Sequence, residues 1–150
     1  MRGMDQLYGE IILEHQKDPR NFGALEKPDH HEEGFNPVCG DRVEIDIARG
    51  VDGSDVIHDI RFCGEGCSIC MASASMMTEE VQGKSFQDAL RAVEDFRGLM
   101  LGQKNPDEIE GDIRALAGVR NFPVRIKCAL LPWITLKKAL GEKEAQDANV

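Results

Sequence analysis

The sequence has no apolar run approaching the ~18 residues that a membrane-spanning helix needs. Its opening, MRGMDQLYGE, lacks the apolar centre of a secretory signal, so the expected location is the cytoplasm. Cations are in short supply: 18 Lys and Arg stand against 27 Asp and Glu, a net charge of −9. That balance argues against nucleic-acid phosphates as a partner and favours steering toward a basic protein surface. Cysteines are five, an odd number that speaks against a disulfide framework, and a reducing cytoplasm would keep them as thiols. Internal repeats and low-complexity tracts are absent. What remains is one expected domain, residues 1–150. A chain of this size buries roughly 70% of its unfolded surface, enough for a core. Its thiols are free for metal binding or sulfur chemistry.

Taken in order, the chain first presents an amphipathic helix over Asp5–Gln16, with Leu7, Tyr8, Ile11, Ile12 and His15 on one face. His15 reads as the polar edge of that face rather than a ligand. A turn at Asp18–Gly23 leads into residues 24–34, a polar stretch read as a solvated loop carrying His30 and His31. A short edge strand near residues 30–35 is the alternative there. Val43, Ile45 and Ile47 alternate with polar residues, as do Val56, Ile60 and Phe62. Two half-buried strands follow, joined as an antiparallel hairpin through the turn at Val51–Ser54.

Gly83 ends a helix over Ser68–Gln82, and Ser85 caps another whose stripe is Phe86, Ala89, Leu90, Val93, Phe96 and Met100. Met76, Met77 and Met100 read as core filler. Pro106 suits a new first turn, residues 107–111 are acidic and exposed, and Asp112 reads as the cap of a short helix through Ala117. Pro123 opens the segment holding Cys128. Pro132 either starts or kinks the last helix, whose packed face is Trp133, Leu136 and Leu140. The polar tail from about residue 141 reads as frayed.

The stretch Arg61–Glu79, RFCGEGCSICMASASMMTE, carries the chemistry. It passes from a strand through Gly64 and Gly66 into a helix opened by Cys67. A helix N-terminus offers unpaired N–H groups and a positive dipole end, both of which favour a thiolate. The small residues Ala72–Ser75 admit close packing by another element. Cys39 and Asp41 lie two apart at a strand start, a spacing that puts both side chains on one face. The hairpin brings Cys67 alongside, and the segment of Cys128 can cover the sheet. Three thiolates and one carboxylate form a tetrahedral set suited to Zn²⁺, with the carboxylate the exchangeable member. Spacing alone leaves ordinary buried cysteines as the alternative. Cys63, Cys67 and Cys70 also form C-x3-C-x2-C, as in radical enzymes that hold a four-iron cluster. Such enzymes need most of a β/α barrel of ~200 residues or more, for which this chain has too few strands.

The motifs Asn36-Pro37-Val38-Cys39-Gly40-Asp41, Gly64-Glu65-Gly66-Cys67-Ser68-Ile69, Ala72–Glu79 and Arg125-Ile126-Lys127-Cys128-Ala129 resemble the IscU/NifU N-terminal family of iron–sulfur assembly proteins. The resemblance runs from the first helix to Trp133. It implies an α/β (α+β sandwich) fold of the SufE/NifU-like kind, a small antiparallel sheet packed against several α-helices. Two details are similar to the SufU branch. Lys127 precedes the last cysteine where the scaffold branch has His, and residues 97–121 look like that branch's extra length.

This resemblance implies a zinc-dependent sulfurtransferase. It would accept persulfide sulfur from a PLP-dependent cysteine desulfurase of the SufS-like kind and pass it to a downstream iron–sulfur assembly scaffold. By motif match the zinc ligands are Cys39, Asp41, Cys67 and Cys128. In the family, a desulfurase histidine displaces the counterpart of Cys39, freeing its thiolate for the incoming sulfur. The alternatives are a non-enzymatic scaffold holding a transient [2Fe–2S] cluster on the same ligands, and a zinc-stabilised adaptor that only activates the desulfurase. Cys39 is the expected sulfur acceptor because its Pro-Val-Cys-Gly segment reads as a loop, while Cys67 opens a helix and Cys128 sits in a packed segment. Arg125 and Lys127 are the expected partner-binding residues, Arg125 as a guanidinium fork for a desulfurase carboxylate. Cys63 and Cys70 depart from the family, where small or polar residues are usual; Cys70, one turn after Cys67, reads as a buried Ser-like position, with a relay or spare-ligand role for either thiol as the alternative.

Overall fold

In the computed structural model of the chain, residues 2–141 are described; the expected frayed tail beyond Gly141 lies outside them. Helix α1 (Arg2–Lys17) precedes strands β1 (His30–Asn36), β2 (Asp41–Arg49) and β3 (Ile57–Glu65), then helices α2 (Ser68–Val81) and α3 (Phe86–Met100). Two 3-10 segments (Pro106–Glu108 and Asp112–Asn121) lead to helix α4 (Pro123–Ala139). The strands form one antiparallel sheet in the order β1-β2-β3. The expected α+β layering is thus observed.

Alternation sets the sheet's two faces. Val43, Ile45 and Ile47 of β2 and Ile60 and Phe62 of β3 are fully buried, while Glu44 and its cross-strand neighbour Cys63 turn to the outer face. Period-two burial is what a one-sided sheet requires. A register shift between Ala48 and Arg49 lets Ile57 join the buried set.

Helix α2 is covered on nearly all sides: Cys70, Ala72–Thr78 and Val81 are buried. Its small residues admit close neighbours and its hydroxyls tie them down. Ser73 donates to the Ala129 carbonyl at 2.6 Å and accepts the Trp133 indole N–H at 3.0 Å. Trp133 in turn stacks on Phe96 with centroids 4.6 Å apart. Strand β1 crosses α4 so closely that a Cβ at Gly34 would lie 2.0 Å from Thr135 Oγ1, so a larger residue there would displace the Thr135 side chain.

The structure corrects several expectations. His15 is fully buried, not at an edge; its Nδ1 meets Ser75 Oγ at 2.7 Å and its Nε2 meets Asp112 Oδ2 at 2.8 Å. It pins α1 to α2 and to the second 3-10 segment. Asp112 is therefore occupied by His15, and Gly111 takes the cap position, with φ 90°. That segment runs to Asn121 rather than Ala117. Residues 30–36 form the edge strand, so His30 and His31 are not in a solvated loop. Pro132 does not start the last helix but lies inside α4.

On the outer face of the sheet, His31 Nδ1 bonds the buried Asp46 carboxylate, with Glu33 and Glu44 near its Nε2. The bond to Asp46, followed by the nearby carboxylate charges, raises the His31 pKa above its ordinary 6.5. A group raised in the folded state contributes stability that is complete below about pH 6.5 and is lost as pH rises through the folded value. The difference in melting temperature between wild type and His31→Ala is therefore expected to be larger at about pH 5.5 than at about pH 8.5. An equal difference at both pH values, measured by circular dichroism, would contradict the pairing.

Candidate metal centre

Residues 37–40 close the β1–β2 hairpin. The Gly40 N–H donates to the Asn36 carbonyl at 2.8 Å, and Gly40 has φ 74°, a left-handed conformation suited to glycine. Cys39 sits in this turn and is partly exposed. Asp41 begins β2 and is fully buried. The two are thus brought together by the turn, not by the two-residue period of a strand.

Cys67 is the cap residue of α2. Its backbone N–H donates to Asp41 Oδ1 at 2.8 Å, so the unpaired start of the helix grips the carboxylate. The glycines ahead of it have steric roles. A Cβ at Gly64 would lie 2.1 Å from the Arg42 carbonyl oxygen, and one at Gly66 would lie 2.8 Å from Asp41 Oδ1. Cys128 lies in the second turn of α4 and is fully buried.

Among the described residues, the Cys39 and Cys128 sulfurs and an Asp41 oxygen lie within 4.8 Å of one another. The Cys128 and Cys39 sulfurs are 3.2 Å apart, and all five cysteines are free thiols. Cys67 Sγ lies outside that mutual set but next to it. Burial, followed by hydrogen bonds to Asp41, Cys39 and Cys67, pushes the Cys128 thiol well above its ordinary value. The crowd of acidic groups is unfavourable without a positive charge among them. A divalent cation would reverse that by deprotonating the thiols outright. Ligand–ligand edges of about 3–4 Å follow from metal–ligand distances of about 2.0–2.3 Å in a tetrahedral zinc site. The Cys39–Cys128 edge has that length and the donors have that chemistry, so these residues fit the ion, with Cys67 as the fourth donor beside them.

Arg125 is exposed at the start of α4. Its pKa is raised first by Cys67 and then by Cys128, whose sulfurs lie near the guanidinium. Lys127 is exposed and lines a cavity of about 390 Å³ with Phe35, Pro37, Val38 and Leu131. The sequence did not single out Asn36, which underlies the cluster, although it heads the motif that carries Cys39 and Asp41.

Cys70 is fully buried one turn beyond Cys67, and burial foremost raises its pKa. Cys63 is half-buried on the outer sheet face. Two other ligand-type clusters occur among the described residues: in His15–Glu79–Asp112 both ring nitrogens of His15 are hydrogen-bonded by side chains, and in His31–Glu33–Glu44 the His31 Nδ1 is bonded to Asp46.

The NifU-like N-terminal domain family matches residues 7–129. The chain belongs to that family. It is 45% identical over 142 residues to the zinc-dependent sulfurtransferase SufU of Bacillus subtilis, covering 94% of each chain. It is 40% identical over 138 residues to the iron–sulfur cluster assembly scaffold protein IscU of Streptococcus pyogenes, covering 91% of this chain and 84% of that one. The crystal structure of FiSufU from Fervidobacterium islandicum superposes with a TM-score of 0.81 at 37% identity, over 87% of this chain and 94% of that one. The N-terminal part of a NifU-like protein from Brucella abortus shares the fold, with a TM-score of 0.76 at 23% identity.

Gly66→Ala tests the cradle around Asp41. The added methyl forces the carboxylate to move while leaving the sulfurs untouched. The expected result is zinc content well below that of wild type by elemental analysis, with unchanged far-ultraviolet circular dichroism. Full zinc content in the variant would show that the Asp41 position is not confined by Gly66.

Proposed function

We propose that this protein is a zinc-dependent sulfurtransferase of iron–sulfur cluster assembly, with Zn²⁺ held by Cys39, Asp41, Cys67 and Cys128. The observation that carries this reading is the convergence of the Cys39 and Cys128 thiols with the buried Asp41 carboxylate, beside the helix start that carries Cys67. When bound, zinc keeps the thiols deprotonated at neutral pH and masks them from oxidants and stray electrophiles.

The residues divide the work. Asp41 is fixed by the Cys67 amide and Cys128 by the body of α4, so both keep their places when another ligand departs. Cys39 is the ligand on a turn and is partly exposed, which suits it to leave and return. Its thiolate attacks the terminal sulfur of a persulfide on a PLP-dependent cysteine desulfurase. The partner's S–S bond breaks, a new S–S bond forms on Cys39, and the electron pair departs with the partner's thiolate. No external oxidant or reductant enters. Arg125, beside the Cys67 and Cys128 sulfurs, stabilises negative charge there. Exposed Phe35, Val38, Phe122 and Val124, on the segments that carry Cys39 and Cys128, offer the partner an apolar contact with Arg125 and Lys127 as its charged members.

The test is persulfide mapping. The zinc-loaded protein is incubated with its desulfurase, PLP and cysteine, without iron, and analysed by non-reducing mass spectrometry. The expected product is one added sulfur on Cys39, with desulfurase turnover stimulated and Cys39→Ala inactive although folded. Sulfur confined to Cys63 or Cys70 would move the acceptor role to those thiols. No persulfide, with a [2Fe–2S] cluster forming once iron is supplied, would replace this reading with the scaffold.

A further inference from the structure

We propose that Asn36 is a positioning residue that couples the turn carrying Cys39 to Asp41 and Cys128, and so sets how tightly the site holds its metal. The inference rests on the metal-site reading given under the proposed function. Asn36 ends β1, pairs with Asp41 across the hairpin and is 7% exposed. A primary amide carries two donors and one acceptor on a short arm, and both ends are used here. Oδ1 accepts the Val38 N–H at 3.2 Å, which shapes the turn just before Cys39. Nδ2 points at Asp41 Oδ2, 3.5 Å away, and at Cys128 Sγ, 3.8 Å away.

The orientation of the amide is forced. Turned over, its oxygen would face the Asp41 carboxylate and its NH₂ would face the Val38 N–H, repulsive at both ends. An aspartate could shape the turn, but it has no donor and would add negative charge beside Asp41 and the thiols. Leucine could fill the space but would leave buried polar groups unmatched.

The two Nδ2 contacts act on the metal through its ligands. An N–H donated to a thiolate withdraws electron density from the sulfur and fixes its direction. A donor to a carboxylate holds the oxygen that does not already receive the Cys67 amide. Outer-shell bonds of this kind change metal affinity by roughly 10–100-fold when removed. Because the same side chain also shapes the Cys39 turn, it links the position of Cys39 to the two ligands that stay. When Cys39 leaves to take up sulfur, Asn36 keeps Asp41 and Cys128 in register for its return.

Asn36→Ser separates the two ends of the amide. A serine hydroxyl can still accept the Val38 N–H as a local turn bond, but it is too short to reach Asp41 Oδ2 and Cys128 Sγ together. Asn36→Ala removes both ends. The expected result for Asn36→Ser is a roughly 10–100-fold loss of zinc affinity in competition with a chromophoric chelator, with a metal-free melting temperature close to wild type. In Co²⁺-substituted protein the thiolate-to-metal charge-transfer band should move to longer wavelength, a change that a turn-shaping role alone would not produce. Wild-type affinity and an unmoved band in Asn36→Ser would overturn the proposal and leave the metal site standing. Wild-type protein that takes up no zinc would sink the metal reading and this proposal with it. Should Asn36→Ser fail to fold, Asn36→Thr carries the same hydroxyl on a residue suited to a strand end, and the same two outcomes decide.

Discussion

The bond from the Cys67 amide to the buried carboxylate of Asp41, 2.8 Å long, is the contact on which the site depends. It joins the first residue of β2 to the start of α2, two elements separated by the whole length of the hairpin. A carboxylate removed from water is costly unless its oxygens are matched. One oxygen has the helix-start N–H and the other faces the Asn36 amide. Those two neutral donors offset part of the cost. Next to Asp41 stands Cys128, buried and held well above its ordinary pKa by the groups around it. A bound cation would offset this arrangement, and its binding would then be linked to folding.

The scaffold around the bond gives the four proposed ligands different freedom. Helix α2 is locked from several directions: by His15 through Ser75, by Trp133 and α4 through Ser73, and by the apolar face of the sheet. Cys67 and Cys128 start from this packed layer. Cys39 hangs from a tight turn whose shape is set by Gly40 and Asn36. Rigid positions for Asp41, Cys67 and Cys128 and a turn position for Cys39 would suit the proposed ligand exchange.

Much of this was legible in the sequence, for physical reasons that can be named. Alternation marked β2 and β3 because a one-sided sheet imposes a period of two. Ser85 marked the start of α3 because its hydroxyl caps the helix, and it accepts the Asp88 N–H at 3.0 Å. Cys39, Asp41, Cys67 and Cys128 stood out through separated motifs, and the fold brings three of them into mutual contact with the fourth beside them. The failures share one cause, which is contact between residues remote in sequence. His15 looked like a polar edge because its partners lie 60 and 97 residues away. Asp112 looked like a cap because nothing local revealed that His15 would claim it. Pro132 looked like a boundary, yet packing carries α4 through it; Trp133 and Leu136, just beyond, are fully buried. Asn36 stood only as the first residue of a motif, because its contact with Cys128 depends on where α4 packs.

X-ray absorption at the zinc edge, on protein purified without added metal, tests the central claim most directly. The account predicts zinc with three sulfur neighbours at about 2.3 Å and one oxygen at about 2.0 Å, falling to two sulfurs in Cys39→Ser. A shell without sulfur, a sulfur count indifferent to Cys39, or paired iron in place of zinc would contradict it.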